Sequence, residues 1–441
     1  MNLLLSLLLA IATAAAPSTS TDWPGWRGPT QNGISPLKDL PLSWSDKQNI
    51  AWRTAIPGKG LSSPVVWGNR VFLTADVIGE AVEGYVAPKH RAWGRPFRNP
   101  DSVPANNKHA LHVLAFDAAT GKQLWDRVVY DGMMYDEVHK TANYALATPA
   151  TDGKFLYAAF GAEGFYKLDF NGNVIWKGDL GKIDTVGLGY GSSPVLFEDK
   201  VIALADQDDG DHSFIAALSQ SDGKVVWKTP RATQGTFTTP VLIDVGGKKQ
   251  LVASATTVIA YDPSNGKELW HAEGAQGVVV HTPVWGQGMF IASVGYPGKQ
   301  VVGIRLNPGE GEERVAWKYT KGTSYVPSPL LYGDYLYLLT DAGLMSCMNP
   351  KTGEVYYEGK RFDSPSKFNS SMVAFDGKIL VTSEDGDTYI VKAGTEHEVL
   401  GKNSINEVVQ TSLALAGDSI YIRSQEALYR VRAQAAPLGR K

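Results

Sequence analysis

Apolar residues along this chain fall in short runs broken by Gly, Asp and Asn, with few stretches at helical spacing. Residues 192 to 227 are representative: SerSerProValLeuPhe, a tight turn at Glu198 to Lys200, ValIleAlaLeuAla, an acidic turn, PheIleAlaAlaLeuSer, then SerAspGly before LysValValTrp. Runs of this length between turn residues predict four antiparallel strands.

The unit recurs. A Ser or Thr, usually followed by Pro and an apolar run, stands at Ser63, Thr148, Ser193, Thr239, Thr282, Ser328, Ser371 and Ser412, at spacings of 85, 45, 46, 43, 46, 43 and 41. Most copies continue to an Asp or Asn, a Gly turn and an aromatic, as in Asp117, Gly121, Trp125 and Asp262, Gly266, Trp270. A lone four-stranded sheet of this size cannot bury both faces, so the copies must pack on one another. Radial packing gives an all-β propeller with ~40 to 50 residues per blade.

Aromatic strand ends count the blades. Trp125, Trp176, Trp227, Trp270, Trp317, Tyr357 and Leu400 end blades one to seven, and the copy that begins at Ser412 has room for three strands only. The strand around Trp52 supplies the missing one, so an eight-bladed ring closes by an N-terminal strand that completes the last blade and removes an open edge. The expected organisation is a signal peptide at 1–16, an N-terminal extension at 17–49, the propeller at 50–432 with an insertion at 77–109 in blade one, and a tail at 433–441.

AlaPheAspAlaAlaThrGlyLysGlnLeuTrp, ending at Trp125, resembles the tryptophan-docking repeat of PQQ-like, quinoprotein-type β-propellers. That family includes PQQ alcohol dehydrogenases and the BamB-like propeller lipoprotein of the outer-membrane β-barrel assembly machinery. The resemblance implies that Trp52, Trp125, Trp176, Trp227, Trp270 and Trp317 dock neighbouring blades. TrpProGlyTrpArgGlyPro at 23–29, HisLysThrAlaAsnTyr at 139–144 and AspGlnAspAspGly at 206–210 look more narrowly like a group of exported PQQ-like repeat proteins.

Charge and cysteine content narrow the chemistry. With 42 Lys and Arg against 45 Asp and Glu, the net charge of −3 does not supply the positive field that nucleic acid or anionic lipid requires. A single cysteine, Cys347, rules out an intrachain disulfide, a four-Cys metal site and a CxxCH haem attachment, and its apolar surroundings predict a packed thiol. Leu3 to Ala16 is too short to span a membrane and ends in small residues, with Ala12-Thr13-Ala14 as a cleavage site and Ala14-Ala15-Ala16, before Pro17, as the alternative. No Cys follows for a lipid anchor, so an exported, soluble, monomeric protein is expected, periplasmic or extracellular.

Topology then separates two faces. In blades running A to D outward from the axis, A–B and C–D turns share one face and are read as short throughout. The B–C and D–A connections share the other, where the insertion at 77–109 and the connections 127–147 and 177–192 lie. Long loops on a rigid scaffold carry function. His139, Asn143 and Tyr144 border the innermost strand of blade two, and His139 is a candidate acid, base or ligand. Tyr190 holds the matching place before blade three, as a stacking or packing ring. Arg91, Trp93 and Arg95 in the insertion combine cations with an aromatic and suit an anionic or carbohydrate ligand. Asp206, Asp208 and Asp211, with Asp209, crowd one B–C turn as a calcium site or a solvated acidic hairpin. The eight Ser and Thr residues form a hydroxyl ring near the channel mouth, serving the turns.

Three functional readings remain. The first is a binding or scaffold module for a protein or glycan through the long-loop face. The second is a PQQ-dependent alcohol or sugar dehydrogenase, implied by the resemblance. The lone cysteine forbids the adjacent-cysteine disulfide that covers PQQ in larger relatives, and their Glu, Asn and Asp calcium set finds no match here. The third is a lyase or hydrolase acting on polysaccharide. No cofactor is expected.

Overall fold

A computed structural model describes residues 21–433 apart from 87, 93, 208, 209 and 365. The signal-peptide segment, Trp93, Asp208, Asp209 and the tail beyond 433 therefore lie outside the described residues. Eight four-stranded antiparallel sheets stand around a common axis, each with its strands in A to D order, and no α-helix occurs among the described residues. Blade one is Val65–Trp67, Arg70–Ala81, Asn107–Asp117 and Gln123–Met133. Blade eight is Ala414–Ala416, Ser419–Arg423, Ala427–Arg432 and, from the other end of the chain, Ile50–Ala55. Trp52 pairs with Arg430 and Thr54 with Leu428, so the ring closes through the N-terminal strand as the repeat count requires.

Blade-to-blade docking follows one chemistry at five tryptophans. The indole N–H of Trp52, Trp125, Trp176, Trp227 and Trp317 donates to a carbonyl in the C–D turn of the next blade, at Ala118, Phe170, Gln220, Pro263 and Pro350 respectively. The ring covers the turn glycine. At Gly172 a Cβ would lie 2.8 Å from the Trp125 ring, and φ is +84°, so both the contact and the backbone call for glycine. Trp270 departs from this pattern. Its indole donates to Gln250 of its own blade and its ring lies under Arg314, 4.4 Å from the guanidinium, because the C–D connection of blade five runs from 306 to 314. That connection also corrects the expectation of uniformly short turns on this face.

Leu400 is no docking residue: it is exposed on the outer strand of blade seven. Blade eight has no covalent C–D turn to receive one, since its fourth strand comes from the N-terminal end. Trp44 of the extension fills the space, buried among residues of blades seven and eight, with its backbone N–H bonded to Asn403.

The insertion is shorter than 77–109. Blade-one strands pair as far as Ala81 with Asn107, leaving 82–106 as the loop, and residues 127–133 of the next connection are strand as well. Cys347 is fully buried, and burial pushes its thiol up to about 12.

At the axis the eight repeat hydroxyls link the blades. Ser63 N–H donates to Thr148 Oγ1, Thr148 N–H to Ser193 Oγ, and Ser193 N–H to Thr239 Oγ1. Thr282 N–H donates to Ser328 Oγ, Ser328 to Ser371, Ser371 to Ser412, and Ser412 back to Ser63. Each buried backbone N–H is thus satisfied by the neighbouring blade at a point where no strand can supply a partner. The one unclosed step lies between Thr239 and Thr282, where the Trp26 indole N–H bonds Thr282 Oγ1 at 2.7 Å.

Replacing Thr148 with Val keeps the side-chain shape and strands the Ser63 N–H. Chemical denaturation of Thr148→Val should show a loss of about 1–3 kcal/mol, and an unchanged midpoint would show that the ring does not hold the blades.

Candidate functional site

Inner strands running outward from the hydroxyl ring end in the A–B turns, and the N-terminal segment Trp23–Ser35 closes that end of the channel. It bonds Val66 of blade one, Thr151 of blade two, Leu242 of blade four, Trp285 of blade five, Pro329 of blade six and Ala374 of blade seven. Trp23 is buried against blade one, and Arg27 is 2% exposed. The TrpProGlyTrpArgGlyPro motif is therefore a plug.

The opposite end is open. A cavity of about 290 Å³ extends from the ring toward the long-loop face, with all eight repeat hydroxyl residues and Trp26 among its lining. Its upper wall comes from the D–A connections, including Leu61, His139, Leu188, Phe237, His281 and Tyr325. Among the described residues the lining holds no Asp, Glu, Lys or Arg. Two carboxylates stand behind it: Glu384 accepts the side-chain amides of Asn369 and Gln410, and Asp341 accepts the N–H groups of Tyr325 and Val326.

The sequence candidates divide into wall, fastening and surface. His139 is wall, with Nδ1 2.8 Å from Thr141 Oγ1, and partial burial lowers its basicity. Asn143 is buried and caps its own turn through Ala145 N–H. Tyr144 is pinned, its hydroxyl donating to Asp136 O and its ring against His109 at 4.7 Å; burial pushes its phenol far up. Tyr190 packs edge-on to Phe165 with its hydroxyl enclosed and its phenol pushed up by burial, which makes it a packing residue and not a free stacking platform. Arg91 and Arg95 are exposed on the hairpin His90–Ala92 and Arg95–Phe97, with Arg91 donating to Gly94 O.

Asp206 is a correction to the picture of a solvated acidic hairpin. It is buried, pairs with Arg231 through both oxygens at 2.7 and 3.2 Å, and accepts Thr236 Oγ1, while Asp211 is exposed. Its oxygens are occupied within blade three, so Asp206 and Asp211 do not share a ligand set.

The insertion does fold over blades one to three. Ser102–Val103 pairs with Val138–His139, Ser102 Oγ donates to Gly187 O, and Arg98 reaches Glu137 at 2.9 Å. His90 is buried between Asp136, 2.9 Å from Nε2, and Asp184, 4.0 Å from Nδ1. Among the described residues this trio is the group near enough to share an ion. Asp136 also accepts Glu137 N–H, Thr185 N–H and Thr185 Oγ1, so the geometry is that of a fastening for the loop.

Sequence reasoning did not find Trp26, Phe237 or His281 as residues of the channel, nor Arg27 and Arg423 buried behind it. Trp26 and Arg27 lay in a motif already visible, but its place across the channel depends on contacts with distant blades. Arg27 and Arg423 are fully buried, and burial lowers each guanidinium to about 9. Burial, with a further contribution from the Arg27 charge, lowers His281 to about 4, so it is neutral at pH 7.

A sequence model of the family described as outer membrane protein assembly factor BamB matches residues 109–358 and 215–435. None of the curated proteins matches the chain. Among solved structures, BamB from Moraxella catarrhalis is 14% identical with a TM-score of 0.52, over 82% of this chain and 99% of that one. Quinohemoprotein alcohol dehydrogenase from Comamonas testosteroni is 12% identical with a TM-score of 0.61, over 96% of this chain and 82% of that one. The computationally designed Ika8 protein is 10% identical with a TM-score of 0.53, over 80% and 98%. A designed protein matching as well as a natural one shows that the likeness concerns fold and leaves chemistry to the site.

Beneath the insertion, Glu163 is buried near Asp136, and its carboxyl is raised to about 7 by burial first, with Asp136 adding to the effect. A carboxyl raised on folding stabilises the fold below the unfolded value and loses that contribution as pH rises through the folded value. Stability should therefore fall between about pH 4.5 and pH 8 by at most ~3 kcal/mol. Glu163→Gln should flatten this slope in denaturant titrations at several pH values, and an unchanged slope would clear Glu163 of the role.

Proposed function

The chain belongs to the PQQ-like propeller family described as outer membrane protein assembly factor BamB, and on that premise we propose that it is an exported binding module whose ligand enters the channel from the long-loop face. The observation that carries this reading is the cavity of about 290 Å³, plugged at the tight-turn end and open at the other. Its volume lies near the small end of the ~300–1,000 Å³ usual for small-molecule sites. The wall is built on D–A connections held by rigid inner strands, and the fastened insertion forms a rim over blades one to three. Among the described residues no helix is long and apolar enough to cross a membrane.

Quinone-dependent dehydrogenation fits this lining poorly. Calcium is held by oxygen ligands in which carboxylates predominate, and the cavity offers none, nor a carboxylate to take a proton from an alcohol. A protein or glycan partner on the rim remains part of the binding reading, because His139, Tyr296 and the hairpin arginines lie on exposed connections of that face.

Two measurements check the proposal. Mass spectrometry of the secreted product should find an N-terminus near Ala15 or Pro17; retention of Met1 on a cytoplasmic product would overturn export. A thermal-shift panel of neutral and acidic monosaccharides, short peptides, and PQQ with Ca²⁺ should yield a stabilising ligand other than PQQ. Its affinity should fall at least ~5-fold in His139→Ala and Phe237→Ala, about 1 kcal/mol, and stay unchanged in Lys122→Ala on the tight-turn face. Stoichiometric PQQ with dye-linked alcohol or sugar oxidation would replace the binding reading with the dehydrogenase one.

A further inference from the structure

The channel floor has an unusual hydrogen-bond balance. Every one of the eight ring hydroxyls accepts a bond, seven from backbone N–H groups and Thr282 from the Trp26 indole. None of them donates to a protein acceptor among the described residues. A serine or threonine hydroxyl has one proton and two lone pairs, so each ring residue keeps a free proton and one free lone pair, and the ring can turn up to eight O–H donors toward an acceptor on the axis. Donors gathered around one axis suit an oxygen-rich acceptor.

Charge points the same way. Arg27 donates Nη2 to Asn32 O and Pro329 O, next to ring residue Ser328, while its Nε and Nη1 are buried and bond nothing among the described residues. Arg423 donates Nη1 to Ser62 O and Oγ, next to ring residue Ser63, and its Nε and Nη2 are equally without partners. Neither forms an ion pair with any described residue. The packing makes room for them: a Cβ at Gly60 would lie 2.0 Å from Arg423 Nη2, and one at Gly33 would lie 2.9 Å from Arg27 Nη2. Two fully buried guanidiniums without counter-ions are costly unless an anion offsets them, and they flank a ring whose cavity has no acidic side chain in its lining.

We propose that the hydroxyl ring is an anion seat, and that its occupant is the carboxylate of a small polyhydroxylated acid of the sugar-acid class. This deepens the binding reading and rests on it. The carboxylate accepts ring O–H protons within the positive field of Arg27 and Arg423. Above it, Asn369, Gln410 and His139 meet the ligand's hydroxyls, and Phe237 and Tyr325 cover its C–H faces. A neutral His281 beside the ring donates or accepts without adding charge of its own.

Calorimetric titration of the full mature chain with D-glucuronate, D-glucose and acetate tests this. Glucuronate should bind at least tenfold tighter than glucose and weaken as salt rises, with acetate a weaker competitor. Arg27→Gln and Arg423→Gln should each lose at least tenfold in glucuronate affinity while the ligand-free protein melts no lower than the parent, since each removes an uncompensated buried charge. If either variant fails to fold, Thr282→Val serves instead. Its hydroxyl accepts the Trp26 indole and no backbone N–H, so the blade-to-blade links survive while one donor and the Trp26 bond are lost, and glucuronate affinity should drop severalfold. Equal binding of glucose and glucuronate overturns the carboxylate seat but keeps the cavity as a binding site. Binding of glucuronate that survives His139→Ala and Phe237→Ala undiminished overturns the cavity reading itself. Absence of binding by both glucuronate and acetate, or full affinity in the arginine variants, overturns the anion seat.

Discussion

The hydrogen bond from the backbone N–H ahead of an inner strand to the Ser or Thr hydroxyl of the next blade, made at seven of the eight blades, is the contact on which this molecule depends. An inner strand at the axis has a neighbour on one side only, so its first N–H has no sheet partner and little water. A hydroxyl placed once per repeat satisfies it, and the same hydroxyl fixes the angular step between blades. One lone pair is taken by that bond, and the proton and the second lone pair stay free. Structural linkage and inward donor character therefore come from one residue type at one repeat position.

The N-terminal extension turns a ring into a container. Trp44 fills the gap left where blade eight lacks a covalent C–D turn, Trp52 closes the ring, and the segment 23–35 crosses the channel below the hydroxyls. The step at which the hydroxyl circuit is open, between Thr239 and Thr282, is where Trp26 inserts its indole. Arg27 follows directly in the chain, so the segment that seals the channel also buries a cation against Pro329, next to ring residue Ser328. With the far end sealed, access to the cavity is confined to the face where the long connections lie.

Much of this was legible in the sequence because repetition encodes it. Eight Ser and Thr positions, the Gly turns and the docking tryptophans give blade number, closure and the two faces without any coordinate. Departures arose where a repeat residue meets something nonlocal. Trp270 binds Gln250 and Arg314 because the next blade has an extended turn, and Leu400 is exposed because Trp44 occupies the docking space. Tyr190 was a candidate from its place before an inner strand, but which side of that connection faces the channel is decided by the packing of Phe165 and Gly161. Asp206 looked like part of a ligand cluster because sequence crowds acids together, whereas its partner Arg231 lies 25 residues away. His139 was found by loop length, and Arg27 and Arg423 were not found, since nothing local marks a buried, unpaired cation.

The central claim is that the channel is a cavity reached from the long-loop face and disposed toward anions. Thiol labelling measures this without knowledge of a ligand, because buried Cys347, with its thiol pushed up to about 12, leaves a silent background. A cysteine at Ala142, in the cavity wall, is compared with one at Ala119, in an exposed tight turn of blade one. Each is reacted with a negatively charged and a positively charged methanethiosulfonate of similar size. The account predicts that both reagents reach Ala142→Cys and that the ratio of anionic to cationic rate is higher there than at Ala119→Cys. A ratio equal to or below that of the exposed site, or no reaction at Ala142→Cys, would contradict it.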